Sequence, residues 1–208
     1  DEIPLYLKQN KTLFMEIVII LGLIFFNGIL SMSEIAMVSA RKSRLETAAK
    51  KGSKTAKTAL RLANEPDRFL STIQIGITLI GILTGLYSGE ALAGDLARWL
   101  ETIGIPQAHS LTLAKGIIVI LVTYLTLILG ELVPKHLGMN APEKIARLIA
   151  RPMEVLSKIA SPFVWLLSAS TQAVIRLTGL HTSTENKVTE EEIKAIIQEG
   201  TEDGEIQE

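Results

Sequence analysis

Three apolar runs constrain what this chain can fold into, because each is close to the length at which a helix crosses a bilayer. They cover residues 13–40, 69–87 and 111–134 of a 208-residue sequence. A hydrocarbon core needs roughly 20 apolar residues at about 1.5 Å of rise each, and backbone groups there must bond within their own segment. The sequence therefore predicts an all-α integral membrane protein whose residues 1–140 form a core of three transmembrane helices.

The distribution of charge predicts how these helices are oriented. Residues 41–68 contain nine Lys and Arg against three Asp and Glu, a net charge of +6, and Lys135, Lys144 and Arg147 follow the third run. By the positive-inside rule both basic segments face the cytoplasm. We expect a multi-pass protein of the inner (plasma) membrane, with its N-terminus outside and its C-terminus in the cytoplasm. Because the basic loop lies between two spans, its expected partner is the lipid bilayer and not nucleic acid.

The second run carries many polar and small residues, among them Gln74, Gly76 and Thr78. We expect an interrupted span there, since irregular backbone at membrane depth is tolerated only inside protein or beside a cavity. Residues 90–103 are predicted to form a surface helix on the outer side.

Amphipathic segments are predicted to flank the three spans. The basic loop 41–68 has the pattern of an amphipathic helix or a helical hairpin, and residues 141–186 that of a belt of juxtamembrane amphipathic helices along the inner interface. A fourth span over residues 159–180 is the alternative. Residues 187–208 are acidic and contain a capping-box pattern, so we expect a linker helix that leads to a further cytoplasmic domain.

A carboxylate stands where the third run predicts hydrocarbon. Glu131 follows an almost uninterrupted apolar stretch, and an ionisable residue in a membrane segment is costly enough to suggest a function. Counting helical rise from the nearest basic residue places Ser33, Gln74 and Glu131 roughly 12, 9 and 6 Å from the inner boundary. Pro134 cannot donate a hydrogen bond to the Gly130 carbonyl one turn earlier, so that carbonyl is a further candidate ligand.

Oxygen groups that converge from three helices suit a hard cation, since magnesium takes about six oxygen ligands. The candidate ligands, all of which offer oxygen, are Ser33, Gln74, Thr78, the Gly130 carbonyl and Glu131. The residues that could support them are Asn27, Ser31, Glu34, Gly76, Pro134 and Lys135. The sequence thus predicts an inward-facing Mg²⁺ site in the inner half of the membrane.

The hydroxyl and amide candidates also have a structural interpretation. Ser31 and Ser33 could be small packing residues that bond to the backbone of their own helix. Gln74 could connect two helices by a hydrogen bond.

The carboxylates likewise have ion-pair partners within reach. Glu131 and Lys135 are one helical turn apart, a spacing that suits an ion pair. Glu34 lies nearer the inner surface, and we favour a structural role for it, either pairing with Arg41 or Lys42 or capping a helix.

Nothing in the sequence indicates enzymatic chemistry. The chain contains no cysteine, and its three histidines lack the spacing of metal ligands. Neither a phosphate-binding loop nor a dinucleotide-binding glycine pattern is present. We therefore do not expect an enzyme.

Four motifs, in this order, resemble the transmembrane domain of the cyclin-M/CorC family of magnesium transporters, called haemolysin-like in bacteria. They are Ser-Met-Ser-Glu at 31–34, Gln-Ile-Gly at 74–76, Gly-Glu-Leu-Val-Pro-Lys at 130–135 and Ala-Pro-Glu at 141–143. The resemblance covers nearly the whole chain. It implies a homodimer of three-span subunits, each with a juxtamembrane belt and a following pair of cytoplasmic nucleotide-binding modules of the CBS type. ATP is expected to bind only to those modules.

The resemblance also implies a function. Family members are associated with magnesium efflux, described as sodium-coupled, so Mg²⁺ and Na⁺ are the expected ions. Ser33 and Glu131 match the family's cation-binding serine and glutamate. The second span departs from the family, since Gln74 and Thr78 stand where magnesium-binding members have asparagine.

Three functions remain open. We favour export of divalent cations, with magnesium first, from an inward-facing site around Glu131. Because relatives with similar motifs include polyamine exporters, a polyamine whose ammonium pairs with Glu131 is the alternative substrate. A non-transporting cation sensor or scaffold is the third function.

Overall fold

The computed structural model describes the backbone of residues 5–178 and the side chains of residues 13–178. This part contains eight α-helices, one π-helical turn and no strand. The helices are α1 Leu5–Ser39, α2 Lys42–Lys50, α3 Lys54–Asn64, α4 Pro66–Ala91, α5 Ala93–Thr102, α6 Gln107–Leu127, α7 Val133–Asn140 and α8 Pro142–Leu177, and the π-turn is Ile128–Leu132. Residues up to Leu166 form one compact unit. The linker helix expected over residues 187–208 lies outside the described residues.

Three stretches of helix are long and apolar enough to cross a membrane, as predicted. They are Leu13–Ser39, Pro66–Thr102 and Gln107–Asn140. Phe25 and Ile120 are 70% and 72% exposed on these stretches, as side chains that face lipid would be. The chain therefore has the all-α membrane fold that its hydropathy predicts.

The second span is one continuous helix, α4, so the expected interruption is wrong. Two of its small and hydroxyl residues, Gly76 and Thr84, are packed inside the structure instead. A Cβ atom at Gly76 would lie 2.7 Å from the Leu30 Cδ1 atom, so this glycine lets α4 approach α1 closely. Thr84 is buried and donates to the Ile80 carbonyl of its own helix at 2.7 Å, which satisfies the hydroxyl without breaking the helix.

The basic loop forms the predicted helical hairpin, α2 and α3. The chain turns at Gly52, whose φ of 91° favours glycine. Ser53 then caps α3 by accepting a hydrogen bond from the Ala56 amide at 3.2 Å. The apolar sides of the hairpin, α4 and α8 share a core that includes Leu45, Ala59, Leu62, Phe69, Ile149 and Met153.

The other two predicted helices are also present, with one correction. The surface helix expected over residues 90–103 corresponds to α5. Over the described part of the expected belt, residues 141–178, one helix, α8, stands in place of several and continues through Pro152 and Pro162. Its buried residues, spaced along one face, are Ala146, Ile149, Ala150, Met153, Ser157, Ala160 and Val164. This continuous apolar face compensates for the backbone hydrogen bonds that the prolines remove. Within the described residues α8 is not apolar enough to count as a fourth span.

Two basic residues hold one carboxylate between α3 and α8. Arg61 pairs with Glu154 across the two helices, and the Lys158 ammonium lies 3.2 Å from the same carboxylate. The hydrogen bond from Lys158, with a further one from Arg61, lowers the pKa of Glu154 below its ordinary value. All three side chains are at least partly exposed, so the contacts fix the position of the hairpin more than they stabilise it.

The helix α7 lies against α1 with little space between the two backbones. A Cβ atom at Gly138 would lie 2.8 Å from the Met32 carbonyl oxygen on α1. At Gly116, in α6, no atom lies within 4 Å of the corresponding position. The absence of a side chain is therefore required at Gly138 and not at Gly116.

We expect Gly138→Ala to force α7 away from α1 and to destabilise the chain by about 1–3 kcal/mol, the usual cost of overpacking. Gly116→Ala is the matched control and should leave stability unchanged or raise it by up to about 1 kcal/mol, since alanine favours a helix over glycine. Thermal unfolding of the purified chain measures both. Equal midpoints for the two variants would show that the α1–α7 contact is not tight at this position.

Candidate functional site

The candidate site lies where α1 packs along the π-turn and α7. We call this contact the seam; it joins residues 24–35 to residues 126–138. A Cβ atom at Gly28 would lie 3.1 Å from the Leu129 carbonyl oxygen, and one at Gly130 would lie 3.2 Å from a carbonyl oxygen of α1. The two glycines therefore bring the backbones of the first and third spans into direct contact.

The π-turn forms where a proline closely follows a glycine. The Val133 amide donates to the Ile128 carbonyl, five residues back instead of four. Pro134 has no N–H and cannot donate to the Gly130 carbonyl. The Asn27 side-chain amide, which is 4% exposed, donates to that carbonyl from α1 at 3.0 Å. The carbonyl that the sequence predicted to be available is thus an acceptor for Asn27, with a second lone pair remaining.

Polar side chains on α1 form one stripe along the seam. Asn27, Ser31 and Glu34 are four and three residues apart, which places them on the same face of the helix. The Asn27 Oδ1 atom and the Ser31 hydroxyl are buried and have no hydrogen-bond partner within the described chain. The same holds for the hydroxyl of Thr126, one turn before Gly130. Each unpaired buried group costs about 1–3 kcal/mol, so the three mark a place where a ligand would find available oxygens.

Three charged side chains meet at the end of the seam nearest α2. The Lys135 ammonium lies 2.8 Å from the Glu131 carboxylate and 3.7 Å from the Glu34 carboxylate. Glu131 and Lys135 are one helical turn apart and form the ion pair that this spacing suits. The expected pairing of Glu34 with Arg41 or Lys42 is wrong, because Glu34 pairs with Lys135. The chain leaves α1 through the extended backbone of Arg41, whereas α7 runs alongside α1 and brings Lys135 to Glu34.

The remaining predicted ligands form no hydrogen bond or ion pair with these groups within the described part of the chain. Ser33 is fully buried, but its hydroxyl donates to the Ile29 carbonyl of its own helix at 2.6 Å. Gln74 and Thr78 are exposed on α4, and among the described residues no hydrogen bond or ion pair links them to Glu131. Contacts across the seam bring together these predicted residues: Asn27, Glu34, Gly130, Glu131, Pro134 and Lys135. Ser31 lies on the same helical face as Asn27 and Glu34.

Thr126 is the seam residue that sequence reasoning missed. Within an apolar run a threonine resembles a packing residue. The only sequence feature that could have identified Thr126 is its position four residues before Gly130. The bridge from Lys135 to Glu34 was missed as well, because those two residues are 101 positions apart in the sequence and lie on different helices.

The seam offers oxygen acceptors to a cation. In the described part of the chain no group of three or more His, Cys, Asp or Glu side chains could hold a metal. A cation here would instead combine the Glu131 or Glu34 carboxylate with neutral oxygens, which suits hard cations and ammonium groups. Lys135 already places an ammonium between the two carboxylates, so an entering cation must displace it or share its partners.

Comparison with known proteins gives consistent matches. The family model of the cyclin M transmembrane N-terminal domain matches residues 18–208. A UPF0053 protein of Synechocystis sp. is 46% identical over 194 residues, which cover 93% of this chain and 43% of that relative.

Two further relatives carry a functional name. The polyamine export protein of Haemophilus influenzae is 30% identical over 192 residues, covering 92% of this chain and 44% of the relative. The polyamine export protein of Escherichia coli is 29% identical over 184 residues, covering 88% and 41%. The chain thus spans less than half the length of these curated relatives.

We expect Asn27→Leu to destabilise the chain by about 1–3 kcal/mol, because the buried Gly130 carbonyl loses its donor. Ser31→Ala should be neutral or slightly stabilising, since it removes a hydroxyl that has no partner. Thermal unfolding without divalent cations separates the two variants. If Asn27→Leu unfolds at the same temperature as Ser31→Ala, the Asn27 bond does not hold the π-turn.

Proposed function

The chain belongs to the family of cyclin M transmembrane domains, and from that premise we propose that it exports divalent cations, magnesium in particular, through the seam. The supporting observation is the set of unpartnered buried oxygens of Asn27, Ser31 and Thr126 beside a span that carries Glu131. Polar groups kept at such cost inside membrane segments usually mark an ion path. Because the basic hairpin favours the cytoplasmic side, the ion would enter from the cytoplasm.

The oxygens of the seam would supply the ligands of a magnesium ion. Glu131 contributes the charge, and Asn27 Oδ1 and the Ser31 hydroxyl contribute neutral oxygens. The Gly130 carbonyl retains one lone pair beside its bond to Asn27. Water would complete the roughly six ligands that magnesium takes. Metals that prefer sulfur or imidazole ligands are disfavoured by this all-oxygen set.

Lys135 acts as a tethered competitor of the exported cation. It occupies Glu131 at 2.8 Å, with Glu34 at 3.7 Å as a second acceptor. An entering divalent cation repels the ammonium and takes over Glu131, while Lys135 shifts fully to Glu34. When the cation leaves, Lys135 returns to Glu131. Both carboxylates of the seam then have a cationic partner in either state, which avoids the cost of leaving a carboxylate unpaired when the site opens.

A polyamine is the second candidate substrate, and Lys135 itself favours it. The Lys135 ammonium shows the contacts that a polyamine ammonium would make with Glu131 and Glu34. Two of the relatives are named polyamine export protein. A polyamine ammonium would then replace the Lys135 ammonium, and the neutral oxygens of the seam would accept hydrogen bonds from its remaining N–H groups.

Transport by the purified chain in liposomes tests the site. We expect Glu131→Gln to abolish magnesium flux and magnesium-dependent thermal protection, since the ion loses its charged ligand. Glu90→Gln, which removes an exposed carboxylate near the far end of α4, should retain both. Undiminished flux in Glu131→Gln would refute the assignment. Binding without flux in the unmodified chain would make it a cation sensor.

Removing the competitor tests the role of Lys135 and the identity of the substrate. We expect Lys135→Met to raise the apparent affinity for the substrate roughly fivefold, the equivalent of about 1 kcal/mol for a partly exposed ion pair. Lys115→Met, on the exposed side of α6, is the control and should leave the affinity unchanged.

Titration of both variants with magnesium and with putrescine, followed by thermal shift, gives the affinities. Protection by putrescine and not by magnesium would establish the polyamine alternative. A reduced affinity for both substrates in Lys135→Met would mean that the lysine supports the site and does not compete for it.

A further inference from the structure

A second feature lies outside the seam, at the corner where α1 and α7 end and α2 and α8 begin. It is an open cleft of about 770 Å³. Its charged lining residues are Arg41, Arg44, Glu143, Lys144 and Arg147. Four cationic side chains against one carboxylate give the cleft a net charge of +3.

Part of this charge has no partner among the residues that the structure describes. Arg44 lies 3.7 Å from the Glu143 carboxylate, and the Arg147 Nε atom donates to the Glu143 backbone carbonyl at 3.3 Å. Arg41 and Lys144 are exposed, and within residues 13–178 their side chains form neither an ion pair nor a hydrogen bond. The cleft therefore presents unneutralised positive charge that an anion would satisfy.

The position of the cleft decides which anion fits. Its lining includes Ser39 and Asn140, the last residues of two of the three membrane-length stretches. This depth corresponds to the polar headgroup region that borders the hydrocarbon core. Met139 in the lining and Val38 beside it are 47% and 61% exposed, so apolar surface adjoins the charge. A soluble phosphate uses only the charge, whereas a phospholipid uses both surfaces.

We propose that this cleft binds the phosphate group of an anionic phospholipid, such as phosphatidylglycerol. The arginine guanidinium groups and the Lys144 ammonium would contact the phosphate oxygens, and the acyl chains would lie along the apolar surface toward the bilayer. A lipid held here would bridge the ends of α1 and α7, the two helices that form the seam. The inference concerns a site separate from the seam and does not depend on which cation is transported.

Lipid binding to the whole chain in phosphatidylcholine nanodiscs tests the proposal. Phosphatidylglycerol should bind with higher affinity than phosphatidylcholine. The double variant Arg41→Gln/Lys144→Gln should weaken phosphatidylglycerol binding about thirtyfold, because each basic side chain near a membrane surface is worth about a fivefold change. Lys50→Gln/Lys51→Gln removes the same charge from exposed positions outside the cleft and should change binding less than about twofold.

Two outcomes would overturn the proposal. An equal loss of binding in both double variants would mean that the lipid senses only the overall charge of the chain. Competition by inorganic phosphate, with the same protection against thermal unfolding as phosphatidylglycerol gives, would mean that the cleft binds soluble phosphate. The conservative variant Arg41→Lys/Lys144→Arg keeps the charge and should restore lipid binding, which separates the loss of a ligand contact from a failure to fold.

Discussion

The direct contact between the backbones of the first and third spans is the constraint on which the rest of the seam depends. It requires glycine at positions 28 and 130, because a side chain on either would press against a carbonyl oxygen of the facing helix. At this distance the Asn27 amide reaches the Gly130 carbonyl, which Pro134 cannot bond. The Asn27 side chain thus donates the hydrogen bond that Pro134 cannot, and this bond fixes the first and third spans relative to each other.

Beside the bond from Asn27 to Gly130, other polar atoms lack hydrogen-bond partners. The Asn27 amide has one donor in use, while its oxygen and the hydroxyls of Ser31 and Thr126 remain buried without partners among the described residues. Burying such groups costs free energy that a purely structural seam would avoid by using apolar residues. The adjoining ion pairs among Glu34, Glu131 and Lys135 follow a different principle, since each charge there has an opposite charge beside it. The seam thus combines neutral oxygens that lack hydrogen-bond partners with charged side chains that are already paired. This arrangement suits the exchange of one cation for another.

The elements around the seam set its boundaries. The hairpin and α8 pack on the start of α4 through a shared apolar core, and Arg61, Glu154 and Lys158 hold their surfaces together. Basic residues concentrate at the same end of the three spans, where the first and third finish and the second begins. That concentration favours one orientation in the membrane and gives the corner cleft its charge. The predicted orientation and the proposed anion binding therefore have a common electrostatic source.

Hydropathy, turn chemistry and proline act over a few neighbouring residues, so the sequence was enough to predict the three spans, the hairpin and the Gly130 carbonyl that Pro134 cannot bond. It could not determine how each helix is rotated about its axis. That rotation decides that the Ser33 hydroxyl bonds to its own helix while the Ser31 hydroxyl has no partner in the described chain. It also decides that Gln74 is exposed while Gly76 packs on Leu30. The same rotation decides that Glu34 meets Lys135 and not Arg41, which follows the end of α1. Only the tertiary structure settles these points, since side chains one or two residues apart point to different neighbours and those neighbours are distant in the chain.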